Sequence, residues 1–308
     1  MVELGRVEEP SGRRLVDLPR LPPGRRDDRV LHDLQRRLGP GHHGGIALVT
    51  IAHISDLHVG SVHFVPNLLN RVIVELNELK PDIVVCTGDI TNEGFRGEFK
   101  TASAYLEQIE SRVVAVPGNH DSKNVGYVHF EEMIGPRHWR ANLRDGVVIV
   151  GVDSSEPDLN DGQVGRERYP WIMEQFSEPA ELKIYAHHHH LLPVPGTGRE
   201  RSTVADAGDL LEVLIRSGVK LALTGHKHVP YVWRLENIYI ANAGTCSSLR
   251  LRGHTRPAYN VIEYEADEVR IVQKHPFGPG NTIAHFNIVT GQQHYRELEP
   301  LVTEQHST

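Results

Sequence analysis

Five short polar clusters interrupt an otherwise apolar and β-branched chain. They are Asp56-Leu57-His58, Gly88-Asp89, Gly118-Asn119-His120-Asp121, the run His187-His188-His189-His190, and Gly225-His226-Lys227-His228. Together they offer carboxylates, an amide and several imidazoles, with no thiolate. Hard and borderline donors of this kind suit Mn, Fe or Zn, and argue against a thiolate-rich structural zinc or iron–sulfur site. In extended chain, residues i and i+2 point to one side. Asp56 and His58 are therefore expected to grip one ion together, and His226 and His228 to reach the same cluster. Gly88, Gly118 and Gly225 permit sharp turns and close approach of a substrate. Histidine is over-used, with 20 copies, and the run of four lies inside the chain after a strand-like segment, so it does not read as a purification tag.

The clusters need elements to hold them, and the apolar pattern supplies these. Ala47 to Ile54 reads as a buried strand, and Asn67 to Leu79 as a helix with a stripe at Leu68, Leu69, Val72, Ile73, Leu76 and Leu79. Ile83–Cys86 reads as a strand, Gly97–Ile109 as a helix, and Val113–Val116, Val147–Val152 and Leu182–Ala186 as strands. A helix over Asp206–Ser217 and a strand over Leu221–Leu223 follow, and residues 238–272 read as successive strands. Strands alternating with helices predict an α/β layered core. In such folds reactive residues sit on loops beyond the carboxyl ends of strands. Asp56, Asp89, Asn119, His188 and His226 each follow an apolar strand, and that recurrence carries the case for one site.

The ordered set Asp56-x-His58, Gly88-Asp89, Gly118-Asn119-His120-Asp121, a histidine after a late strand, and Gly225-His226-x-His228 resembles the calcineurin-like metallophosphoesterase family. The resemblance covers roughly residues 48–262. It implies a four-layer β-sandwich, two mixed sheets flanked by helices, with metals at one end. It assigns Asp56, His58 and His228 to one ion, Asn119, His188 and His226 to a second, and Asp89 to both. Two ions ~3.5–4 Å apart can share a hydroxide and clamp both oxygens of an in-line displacement. His120 would be the general acid and Asp121 its orienting partner. The family usually shows two histidines before prolines at the fourth block, whereas four histidines precede Leu191-Leu192-Pro193 here. Counting back from Pro193 favours His188, with His187 the alternative. The segment Gly88-Asp89-Ile90-Thr91-Asn92-Glu93-Gly94 resembles the branch with cyclic-nucleotide and glycerophosphodiester phosphodiesterases. The expected activity is hydrolysis of small phosphodiesters. A DNA exonuclease of the same family and a scaffold that has lost its metals are the alternatives.

Other residues bound the reading. His189, Arg250 and Arg252 are candidate substrate contacts, since guanidinium forks match phosphate oxygens. Arg250, Arg252 and Arg256 together also read as a solvated edge from which one could contact substrate, His53 reads as packed in the first strand and His63 as an ordinary loop residue. The formal net charge of -7 gives no general attraction to nucleic acid or acidic membranes. No stretch approaches the ~20 apolar residues of a membrane helix. Two separated cysteines, Cys86 and Cys246, and the lack of an apolar leader lead to a cytoplasmic expectation. Residues 1–45, rich in Arg, Pro and Gly, read as a poorly ordered extension with one short helix over Val30–Leu38. Residues 46–272 are expected to form the catalytic domain. Residues 273–308 are expected to form a tail that either covers the site or pairs with a second subunit in a homodimer.

Overall fold

The computed structural model describes residues 48–198, 201–252 and 255–293. The extension expected over residues 1–45, and the short helix within it, lie outside these residues. The chain opens with β1 (Val49–Ile54), α1 (Pro66–Leu79), β2 (Ile83–Cys86), α2 (Arg96–Leu106), β3 (Val113–Ala115) and α3 (Gly126–Met133). It continues with β4 (Trp139–Asn142), β5 (Val147–Gly151), α4 (Tyr169–Gln175), β6 (Leu182–Ala186), α5 (Ala207–Arg216) and β7 (Leu221–Thr224). β8 (Tyr231–Leu235), β9 (Ile238–Asn242), β10 (Tyr259–Glu265), β11 (Glu268–Lys274) and β12 (Gly280–Asn287) complete it.

Two six-stranded sheets result, in the orders β12-β11-β10-β1-β2-β3 and β4-β5-β6-β7-β9-β8. β1, β2 and β3 run parallel, while β10, β11 and β12 extend that sheet antiparallel. In the second sheet β5, β6, β7 and β9 run parallel between antiparallel edges β4 and β8. Parallel strands buried on both faces explain why the sequence shows continuous apolar runs instead of alternation.

The period of two sorts each strand's side chains onto two faces. Val49, Ile51, Ile83 and Val85 meet Val147, Ile149, Ile184, Leu221 and Leu223 between the sheets. On the outer face of the first sheet, Ala52, Ile54, Val84 and Cys86 pack against Leu69, Val72, Ile73 and Leu76 of α1 and Phe99 and Ala102 of α2. On the outer face of the second, Val148, Val150, Tyr185 and Ile240 pack against Ile172 of α4 and Leu210, Leu211 and Leu214 of α5. This is the expected four-layer arrangement of helix, sheet, sheet and helix. Ile149 has no exposed surface in the central layer. Ile149→Ala should therefore cost about 2–5 kcal/mol, read as a lowered urea midpoint with an unchanged m value.

The boundary drawn at residue 272 falls inside β11, and residues 280–287 form the edge strand β12. Alternation accounts for this. Val269 and Ile271 of β11 and Phe286 of β12 point into the central layer, where Phe286 stacks on Tyr239 with ring centroids 3.4 Å apart. None of the described helices is long and apolar enough to cross a membrane.

Candidate metal centre

The loops that follow β1, β2, β3, β6 and β7 meet at one end of the sandwich. Backbone hydrogen bonds tie them: Asp56 N–H to Gly88 O at 2.9 Å, His58 N–H to Asp89 O at 2.9 Å, and Gly225 N–H to His188 O at 2.8 Å. The segment after β9 braces the first loop from below. Thr245 Oγ1 donates to Asp56 O at 2.6 Å, and Ser247 Oγ to Leu57 O at 3.0 Å.

Asp56 and His58 do come together, and so do His226 and His228, but not by extended backbone. The φ angles are +56° at Asp56, +52° at His58, +50° at Asp89, +84° at His226 and +59° at His228. Each left-handed non-glycine residue costs about 1–3 kcal/mol, and such strain persists only where the surroundings over-determine it. The hydrogen bonds between loops do so here. The strain therefore falls on the residues whose types carry the chemistry.

Among the described residues, three overlapping groups of donors could hold a metal ion: Asp56, His58 and His228; His58, Asp89 and His120; and Asp89, His188 and His226, with donor atoms within 4.8 Å of one another in each. His58 Nε2 lies 3.8 Å from Asp56 Oδ1 and 3.7 Å from Asp89 Oδ2, and His228 Nε2 lies 3.3 Å from Asp56 Oδ1. His188 Nε2 lies 3.4 Å from Asp89 Oδ2 and 3.2 Å from Asn119 Oδ1. Asp89 thus stands between two sets of imidazoles. Its Oδ1 also accepts the His120 N–H at 2.9 Å.

The donor set fits a cation. Both ring nitrogens of His226 and Oδ1 of Asp56 are buried without a hydrogen-bond partner, an arrangement that buried polar atoms rarely tolerate without a ligand. Burial pushes His58 down to about 3, and burial with the neighbouring His189 and His188 holds His226 well below the usual imidazole range. Both rings are therefore neutral and offer lone pairs. At His188 burial opposes the charge, but Asp89, Asp56 and the Thr87 carbonyl outweigh it and raise the ring to about 9. That marks a point where the two carboxylates attract positive charge.

Of the two histidines open at the fourth cluster, His188 faces Asp89. His187 lies on the opposite side, with its ring 5.1 Å from Tyr185 of the outer layer. His189 does not contact the cavity as expected for a substrate ligand. It is buried, with Nδ1 2.9 Å from Ser154 Oγ and Nε2 3.3 Å from Asn160 O. Side chains of consecutive residues diverge, so only part of the run can face the opening.

Asp121 does not orient His120. Its carboxylate accepts from the backbone N–H groups of Ile90 at 3.1 Å, Thr91 at 2.8 Å and Gly118 at 2.9 Å, and from Thr91 Oγ1 at 2.8 Å. Four donors fill its lone pairs, and it serves as a strut between the loops after β2 and β3. The His120 ring meets the carbonyl of Asn92, 2.5 Å from Nδ1, with Lys123 Nζ 3.3 Å from the same nitrogen. A backbone acceptor has no residue-type signature, which is why the sequence did not reveal it.

Gly118 permits this close packing. A Cβ there would lie 2.2 Å from Asp89 Oδ1 and 2.5 Å from the Asp89 backbone nitrogen. Backbone cannot yield as a flexible side chain can. Gly118→Ala is expected to displace Asp89 and lower kcat by about 100-fold, with a parallel loss of bound metal by elemental analysis.

Above the donors opens a cavity of about 710 Å³, large enough for a nucleotide-sized ligand. His58, Asp89, Asn119, His120, His226 and His228 form its floor. Of the three arginines Arg250, Arg252 and Arg256, the first two line it and Arg256 does not. Asn160, Asp161, Arg201 and Lys227 also line it. These were missed, since the first three stand on irregular loops away from any motif. Lys227 was inside a motif but hidden between its two histidines.

Fold and donor set together define a phosphoester hydrolase built around metal ions. The model of the calcineurin-like phosphoesterase family matches residues 49–230, more than half of the chain, and the chain belongs to that family. Among its relatives, the 3′,5′-cyclic-nucleotide phosphodiesterase of Nostoc sp. is 24% identical over 245 residues, covering 71% of this chain and 89% of the relative. The cAMP/cGMP dual specificity phosphodiesterase of Mycobacterium tuberculosis is 28% identical over 265 residues, covering 77% of this chain and 82% of the relative. The fold is shared with a dimetal phosphatase from Danio rerio at a TM-score of 0.57 and 12% identity, covering 78% of this chain and 99% of that one. The chain is a metal-dependent phosphoester hydrolase.

Proposed function

We propose that this chain hydrolyses small phosphodiesters, cyclic nucleotides among them, at a centre of two Mn, Fe or Zn ions. Asp56, His58 and His228 would hold one ion, Asn119, His188 and His226 the other, and Asp89 both. The observation that carries this reading is the position of Asp89 Oδ2, 3.7 Å from His58 Nε2 and 3.4 Å from His188 Nε2, between the two donor groups. When bound, such ions would polarise the phosphoryl oxygens and lower the pKa of a coordinated water to about 7.

The chain's own residues supply the rest. Asn119 is positioned by His188 at 3.2 Å and by Asn160 at 3.3 Å. His120 lines the cavity beside His58, with ring centroids 4.8 Å apart. Its Nδ1–H donates to Asn92 O, so Nε2 is the nitrogen left for the leaving oxygen, and it would deliver a proton from the doubly protonated ring. That is the role of a general acid. The names of the Nostoc and M. tuberculosis relatives support a cyclic nucleotide as substrate, and the cavity volume accommodates one.

The test is hydrolysis of cAMP and cGMP by Mn-loaded protein, followed by chromatography of the nucleoside monophosphates. Turnover of either, with slower release from p-nitrophenyl phosphate, supports a phosphodiesterase. Turnover of the monoester alone would replace it with a phosphomonoesterase.

A further inference from the structure

A cyclic nucleotide carries one negative charge, and the proposed metal centre with His120 already answers it. The cavity above nevertheless presents Arg201, Lys227, Arg250 and Arg252, against Asp161 as the one acidic group outside the metal centre among its described lining residues. This concentration stands out in a chain whose formal net charge is -7. General basicity does not account for it.

The backbone of Arg250 and the guanidinium of Arg252 are also anchored. The Arg250 carbonyl accepts from His228 Nδ1, so the backbone that carries this guanidinium is fixed to the donor cluster itself. Its own N–H donates to Ser248 Oγ at 3.1 Å, and Ser248 N–H donates to Thr245 Oγ1 at 2.9 Å. Thr245 Oγ1 in turn holds Asp56 O at 2.6 Å. One chain of hydrogen bonds therefore runs from the metal loop to Arg250. Arg252 is held through Nη1, which donates to Thr197 O at 3.1 Å. Lys227 lies between His226 and His228 and is only 8% exposed. Guanidinium and ammonium groups carried beside a phosphoryl site are an arrangement that recognises a second anion.

We infer that the cavity contains an anion subsite, formed by Lys227, Arg250 and Arg252, that selects phosphodiesters bearing a second phosphate near the scissile one. The inference rests on the phosphodiesterase reading above and narrows its substrate class. Mono-anionic diesters would be turned over, but less efficiently than diesters carrying the additional dianion. Asp161 at the cavity wall would disfavour anionic groups on its own side and so help to orient the substrate.

The test compares the p-nitrophenyl ester of thymidine 5′-phosphate with the same ester carrying a 3′-phosphate. Release of p-nitrophenol reads only the diester bond, and the two probes differ only in the added dianion. The 3′-phosphorylated ester is expected to have a kcat/KM about tenfold higher or more, the scale of a hydrogen bond to a charged group. The ratio should fall as salt is raised, and should collapse towards one in Arg250→Gln and in the Lys227→Gln/Arg250→Gln pair. Equal kcat/KM for the two esters in the wild type would overturn the subsite and leave the phosphodiesterase reading standing. A ratio unchanged by either variant would overturn the assignment to these residues. Failure of Mn-loaded protein to cleave either ester would instead remove the phosphodiesterase reading, and the subsite with it.

Discussion

Asp89→Ala is expected to lower kcat/KM on bis(p-nitrophenyl) phosphate by about 1,000-fold or more, the several kcal/mol that metal stabilisation of transition-state charge supplies. Asp89 is the one carboxylate shared between the two donor groups. Its Oδ2 stands between His58 and His188, and its Oδ1 accepts the backbone N–H of His120. Removing it takes the common ligand from both proposed ions and releases the loop that carries the proposed general acid. Metal content should fall with activity. Asp89→Asn keeps the shape but not the charge, and is expected to retain some metal while still losing most activity. An Asp89→Ala protein with undiminished metal and turnover would remove Asp89 from the centre.

The second large effect concerns His120 and depends on the leaving group. His120→Ala should slow hydrolysis of a substrate with an alkoxide leaving group, such as cAMP, by about 100- to 10,000-fold, the usual contribution of a positioned general acid. p-Nitrophenolate is a good leaving group and needs little protonation. The same variant should therefore lose far less on bis(p-nitrophenyl) phosphate. The side chain is held by Asn92 O at Nδ1 and contacts His58 edge-on. Removing it should leave the metal content close to that of the wild type. Equal losses on both substrates would mean that His120 stabilises charge or positions substrate, and does not donate a proton.

Much of this architecture was legible in the residues. The buried parallel strands announced themselves as apolar runs, and the stripe Leu69, Val72, Ile73 and Leu76 predicted α1 to within one residue at its start. The polar clusters were legible because each directly follows such a run. Elements without a strong pattern were not. α3 is short and buries only Gly126 and Phe130, and β4 is a four-residue edge strand with Arg140 and Asn142 in it.

The details of the centre were less accessible, for a physical reason. Side-chain types reveal which donors exist, but the backbone decides which way they point. Left-handed residues at Asp56, His58, His226 and His228 bring the donors together where extended geometry had been expected. Asp121 turned away from His120 because four donors from neighbouring loops claim its carboxylate. Arg201, Asn160 and Asp161 reach the cavity only through tertiary folding of loops that carry no periodicity.

The most direct test of the two-metal account is a titration of chelator-stripped protein with Mn²⁺, following bound metal by equilibrium dialysis and hydrolysis of bis(p-nitrophenyl) phosphate in the same samples. The account predicts negligible activity in the stripped protein and turnover that rises as the second equivalent binds. Activity that survives stripping, or full activity at one equivalent with no second ion bound, would contradict it.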